Sequence, residues 1–158
     1  MQWQGAAITL TDLEQRLAHS VAQERHRVNR AAGVINQQVS PEAWVTVELT
    51  GIGAELAWCR LANVYPDLSL EPRAGGADAW WAGTTVDVKG TERPHGQLLA
   101  HPTKFTRDGA ALYALMTGPF PTYTFRGFAS ADELRHASRL TDLGRGPTYA
   151  MPQTALHP

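Results

Sequence analysis

The 158-residue chain is poor in cysteine, in net charge and in long apolar runs. Its single cysteine, Cys59, excludes an internal disulfide and points to a reducing compartment. The expected role for it is a small buried hydrophobe on a helix. A formal net charge of -1 excludes a globally basic nucleic-acid binder, so any DNA contact must come from a local patch. No run of about 18 apolar residues is present, which argues against a membrane span. The opening MQWQGAAITLTDLEQ lacks a basic segment followed by a long apolar one, so no signal peptide is expected. There is no internal repeat, low-complexity tract or C-x-x-C pair. His95 and His101 have no zinc-ligand spacing with Cys59 or with each other. With 43% hydrophobic and 18% charged residues, these absences leave one globular, cytoplasmic domain with no membrane partner.

What is present reads as helices, then strands, then a short helix: an α/β or α+β domain around one mixed sheet. Thr11 and Glu14 form a capping box that starts a helix over about 11–31. Leu13, Leu17, Val21 and Val28 are the expected buried face. Arg16, Arg27 and Arg30 fall on the other side, in the most basic stretch of the chain. They are either a solvated face or contacts to a DNA backbone. Ser40-Pro41-Glu42 is a helix start, and the core of the domain is expected over about 41–158. That second helix runs to about Asn63, with Gly51 and Gly53 permitting close packing. Strands are expected at Leu68–Arg73, Gln97–His101, Ala110–Met116 and Thr122–Phe128. Ser130 and Glu133 repeat the capping pattern and start a helix to about Arg139. The glycine- and proline-rich tail is expected to end in an edge segment.

The stretch ADAWWAGTTVDVKGT reads as a hairpin turning at Ala82-Gly83. That register sets Trp81 against Thr84, Trp80 against Thr85, Ala79 against Val86, and Asp78 against Asp87. Opposed carboxylates about 4.5–5.5 Å apart destabilise a sheet. A hard divalent cation with oxygen ligands removes the conflict. Residues two apart share a strand face, so Asp87 and Lys89 project together while Val86 and Val88 enter the core. Two acids and a lysine suit phosphodiester hydrolysis, with the lysine orienting or activating a water. The alternative is an ordinary Asp87–Lys89 surface ion pair, since an acid-x-lysine tripeptide is common. Of the two tryptophans, one is expected in the core and the other exposed, where it can stack on a base. Tyr113 and Phe125 are expected in the core.

The order GIGAELAWCRLAN, then GADAWWAGTTVDVKGT, then KFTRDGAALYALMTGPFPTYTFRGFASADEL and YAMPQTALHP, resembles the PD-(D/E)XK nuclease superfamily. The likeness is to small phage and prophage members and covers about residues 50–158. It implies a restriction-endonuclease-like core: a central mixed sheet flanked by helices. It implies a Mg²⁺- or Mn²⁺-dependent deoxyribonuclease, expected to be an endonuclease. Glu55 matches the helix glutamate, Asp78 and Asp87 the two acids, and Lys89 the lysine. The metal ligands implied are Asp78, Asp87 and the Val88 carbonyl, with Glu55 assisting. In-line attack leaving a 5′-phosphate follows from the same likeness. Ala77 stands where the motif has proline. A literal Pro66-Asp67 exists, but it follows a helix, where those residues make turns.

Further candidates for DNA contact are Thr91, on the strand face of Lys89, and Gln97 at the next strand; Arg145 and Gln153 lie in the tail. Partners expected are DNA, a second copy of the chain, or a protein that delivers DNA; a phage-encoded chain would act in the host cytoplasm. Two rivals remain. One is a non-catalytic nucleic-acid- or protein-binding module on the same fold. The other is a phage assembly or structural protein in which the acid-x-lysine match is chance.

Overall fold

The computed structural model describes residues 2–33, 43–70, 77–106 and 109–158. In chain order the elements are β1 (Ala7–Thr9), α1 (Asp12–Ala31), α2 (Trp44–Ala62), β2 (Ala79–Trp81), β3 (Thr84–Thr91), β4 (Leu98–Ala100), β5 (Leu112–Thr117), β6 (Thr122–Ser130), α3 (Ala131–Leu134), β7 (Leu140–Asp142) and β8 (Pro147–Met151). The fold is α/β, a single domain on a five-stranded mixed sheet in the order β1-β6-β5-β3-β2. Only β3 and β5 run parallel. Helices cover one face: α2 lies on β3, and α1 packs on α2. A second, three-stranded antiparallel sheet, β4-β8-β7, accompanies the other face. The expectation of one sheet is therefore corrected. Within the glycine-rich tail β8 is the central strand of that second sheet, and the tail ends as expected in an edge segment, His157 bridging Phe128 of β6 beyond the reach of β1.

Alternation on the strands divides the core in two. Val86, Val88, Ala114, Met116 and Phe125 meet Ile52, Leu56 and Trp58 on the helix side. Tyr113, Leu115 and Ala129 meet Leu98, Leu134, Met151 and Leu156 on the other. Tyr113 and Phe125 are buried, as expected, and so is Cys59. Both capping boxes form, at Thr11/Glu14 and at Ser130/Glu133. The second helix of that pattern is shorter than expected: α3 stops at Leu134, and Ala137–Arg139 is a separate 3-10 turn.

Three other expectations change. Leu13 and Leu17 are exposed, and the buried residues of α1 are Ala18, Val21 and Ala22. Small residues let two helix axes approach, so packing on α2 selects the alanine stripe over the larger leucines. No strand forms over Leu68–Leu70, and residues 71–73 of that stretch lie outside the described residues. The Ser40-Pro41-Glu42 start also lies outside them; α2 is described from Trp44 and ends on Asn63 in the left-handed conformation, φ 55°.

Gly53 and Gly90 set how closely α2 sits on the sheet. A β-carbon on Gly53 would fall 2.2 Å from the Tyr123 hydroxyl, which donates to the Leu49 and Thr50 carbonyls at 3.3 Å each. One on Gly90 would fall 2.7 Å from Ala54 Cβ and 2.8 Å from the Thr50 carbonyl oxygen. Backbone cannot yield there as a flexible side chain can. Gly90→Ala is expected to destabilise the domain by about 1–3 kcal/mol, read as a lower urea midpoint at unchanged m-value.

Candidate metal and nuclease site

The hairpin forms in the expected register, with Ala79 opposite Val86, Trp80 opposite Thr85 and Trp81 opposite Thr84. A two-residue turn of this hand requires positive φ at both central positions. Ala82 and Gly83 supply 50° and 78°. The register does not extend to Asp78. Its N–H donates to the Val86 carbonyl at 2.9 Å, although Ala79 is the residue paired with Val86. Two residues of the incoming strand thus face one of β3, as in a bulge, and Asp78 leaves the ladder. The expectation that Asp78 stands directly across from Asp87 is corrected.

What Asp78 does instead follows from backbone hydrogen bonding. β2 is three residues long and β3 eight, so the outer edge of β3 runs on uncovered by β2. Alternate residues of β3 turn their N–H groups to that edge. After Val86 the next is Val88, and its N–H donates to Asp78 Oδ2 at 2.7 Å. The carboxylate completes the rung that β2 does not reach. By the same alternation the Val88 carbonyl leaves the strand on this edge.

Asp87 and Lys89 share the face away from the helices. Asp87 is 5% exposed, and its Oδ1 lies 2.5 Å from Lys89 Nζ. That oxygen has no aligned hydrogen bond, so the contact is an ion pair of poor angular geometry. Tyr113 pairs with Asp87 in the parallel ladder. Burial, and then Asp87, push its hydroxyl up to about 12.

Glu55 comes from the helix side, and sequence reasoning missed the residue that holds it. Arg25, on the buried stripe of α1, reaches Glu55 Oε2 with Nη1 at 3.1 Å. Its Nη2 donates to the Asp67 carbonyl at 2.7 Å and its Nε to the Ser69 carbonyl at 3.3 Å. Asp67 Oδ1 in turn accepts the Ser69 N–H at 2.8 Å, so Pro66-Asp67 makes a turn, as expected. No local spacing connects Arg25 with Glu55; the available signal is its place four residues after Val21, on the face that enters the core.

Three carboxyl groups, Glu55, Asp78 and Asp87, face two cations, Arg25 and Lys89, so all three cannot ionise without leaving one uncompensated negative charge. Burial and then Asp87 raise the Asp78 carboxyl to about 6, against the Val88 bond and Lys89. Burial and then Asp78 raise Glu55 to about 8, and the Arg25 ion pair falls short of offsetting them. Arg25→Ala leaves Glu55 partly buried without its cation. Above about pH 8, where Glu55 is ionised, the expected loss is about 2–4 kcal/mol by urea unfolding, below the fully buried range because Arg25 is about one-fifth exposed, and it should shrink as Glu55 is protonated. Adding Glu55→Gln should recover part of it, a coupling that a double-mutant cycle reads directly.

As they stand, among the described residues, no three His, Cys, Asp or Glu side chains are gathered closely enough to hold a metal. Each acid has taken an internal partner: Val88 N–H for Asp78, Lys89 for Asp87 and Arg25 for Glu55. The donor set still fits a hard cation in chemistry. It is all oxygen and largely shielded from solvent, its three carboxyls outnumber the two cations, and each carries a second oxygen.

The other expected site residues are dispersed. Arg16, Arg27 and Arg30 lie roughly half a helical turn round α1 from Arg25, so they face away from this cluster. Arg27 pairs with Glu24. Thr91 ends β3, where its hydroxyl accepts the Arg93 N–H at 3.2 Å. Gln97 is exposed and precedes β4, so it leads into the second sheet. Gln153 ties the Pro94 and Gly96 carbonyls, and Arg145 lies in the β7–β8 turn.

Searches of family models, curated proteins and solved structures returned no match to this chain.

Proposed function

We propose that this chain is a metal-dependent DNA nuclease of the PD-(D/E)XK type. The observation that carries the reading is the crowding of acids beside β3: three carboxyl groups face two cations, and two of the acids are pushed up, so a bound divalent cation would let all three ionise. Asp78 and Asp87, with the Val88 carbonyl, are the residues to hold Mg²⁺ or Mn²⁺, and Glu55 assists. Bound there, the ion supplies polarisation of the phosphoryl group and a more acidic water.

The chain's own residues do the rest. Asp78 stays anchored through Oδ2 on Val88 and has Oδ1 to offer. Lys89 is paired with Asp87 here; with Asp87 holding a cation, its ammonium would be free to orient the attacking water and to offset charge building on the phosphate. Burial of Asp87 excludes bulk water from one side of the site, which strengthens each of these interactions. DNA is the expected partner. A cytoplasmic location belongs to the same reading; among the described residues no helix is long and apolar enough to cross a membrane.

The test is cleavage of single-stranded, duplex and branched DNA by the wild-type chain with Mg²⁺ or Mn²⁺, against a chelator control. Absence of cleavage on all three substrates sinks the enzyme reading and favours a non-catalytic module.

A further inference from the structure

Trp80 is the most prominent exposed group beside the site. Five tryptophans occur in the chain. Trp58 is fully buried, and Trp81 stacks on Phe128 with ring centroids 5.4 Å apart. Trp80 is 69% exposed. Exposed apolar residues are common singly, as at Leu13 and Tyr65, and what sets Trp80 apart is its place beside the charged cluster.

Its position follows from the register. Trp80 stands opposite Thr85, and directly opposed residues share a face of the sheet. Val86 and Val88 point to the helices, so Thr85, Asp87 and Lys89 point away from them, and Trp80 points with them. Ala79 and Trp81, its neighbours, are on the helix side. Trp80 is therefore the diagonal cross-strand neighbour of Asp87, at a backbone separation of about 7–8 Å. Among the described residues β2 is the edge strand of the sheet, and none of them forms a further strand beside the indole.

We infer that Trp80 is a stacking platform for an unpaired nucleobase whose phosphate reaches Lys89, which makes single-stranded or locally opened DNA the substrate class. This rests on the nuclease reading above. Two features favour a nucleic acid over a protein occupant. The flat apolar ring and the ammonium lie on one face, as a base and its phosphate require. The aromatic group also lies close to the acids proposed to act on that phosphate. In a closed duplex the base faces are occupied by their neighbours in the stack, so a duplex can use Lys89 but not Trp80.

The test is equilibrium binding of fluorescently labelled oligodeoxythymidylate, and of a duplex of equal length, read by anisotropy in chelator. Wild type, Trp80→Ala, Trp80→Leu and Trp80→Phe are compared, with thermal melts showing each folded. Trp80→Ala is expected to weaken single-strand binding about tenfold. Trp80→Phe should hold within about threefold, because it keeps a ring. Trp80→Leu, apolar but without a π-face, should resemble Trp80→Ala. Duplex affinity should move less than about twofold. Unchanged single-strand affinity in Trp80→Ala, an equal loss on duplex, or no single-strand binding by the wild type overturns the inference. Since the readout needs no cleavage, an inactive wild type with Trp80-dependent binding would refute the nuclease reading alone. Cleavage with Trp80-independent binding would refute this inference alone.

Discussion

Asp87→Asn is expected to remove metal-dependent cleavage while leaving the fold in place. The substitution is nearly isosteric and takes one negative charge from a cluster in which three carboxyl groups face two cations. The folded state therefore loses repulsion from Asp78 as well as attraction to Lys89. The two effects oppose, and stability should move little. Activity has no such compensation, because an amide is a weak ligand for a hard cation. Lys89→Ala tests the other half of the pair. It should lower the rate by about 10²–10⁴-fold, the range for a positioned proton-transfer or charge-stabilising group. Metal binding should survive or tighten, since the lysine competes with the cation for Asp87. Rates on the substrate the wild type cleaves best, beside a Mn²⁺ titration, separate these outcomes. A Lys89→Ala chain that cleaves at the wild-type rate would remove the lysine from the mechanism.

The second large effect is on stability against pH. Asp78 and Glu55 titrate at about 6 and about 8 in the folded chain. In an unfolded chain such groups titrate near roughly 3.9 and 4.3. Between those limits the folded state holds more protons, so stability falls as pH rises. The contribution is fully present below about pH 4 and lost by about pH 8–9. A cation at this site acts in the opposite sense. It needs both acids ionised, so its stabilisation grows over the same window. At about one hundred times its dissociation constant, Mn²⁺ adds about 2.7 kcal/mol. For a chain of this size that is a Tm rise of roughly 5–10 °C. The rise should be present at pH 8.5, small at pH 5.5, and absent in Asp78→Asn. A cation-induced shift of equal size at both pH values would place the ion elsewhere.

The parts of this structure legible in the sequence are those fixed within a few residues. Capping at Thr11 and Ser130 depends on a partner three positions on, and both boxes form. The hairpin depends on two adjacent residues able to take positive φ, and its register follows from them. The split between Trp80 and Trp81 follows from alternation alone. What was not legible depends on contacts distant in the chain. Arg25 meets Glu55 only because α1 packs on α2 through its alanines, where the leucine periodicity pointed elsewhere. Asp78 leaves the ladder because β2 ends early and Val88 has an N–H to satisfy. β7 and β8 flank a glycine-rich turn in a glycine- and proline-rich tail, and it is the pairing of β8 with β4 and with β7 that makes a sheet of them. The site was thus legible as three residues on a hairpin, and illegible as the balance of charge around them.

The bond from Val88 to Asp78 makes the site its own strain gauge. One peptide amide reports whether the acid is seated, and no label is needed to read it. If the start of β2 peels from β3, the Val88 proton exchanges with solvent and the carboxylate swings free in the same event. Its exchange rate therefore counts how often the chain mislays its proposed ligand. A cation gripping Asp78 through the other oxygen would slow that clock, whereas one that pulled the carboxylate away would speed it.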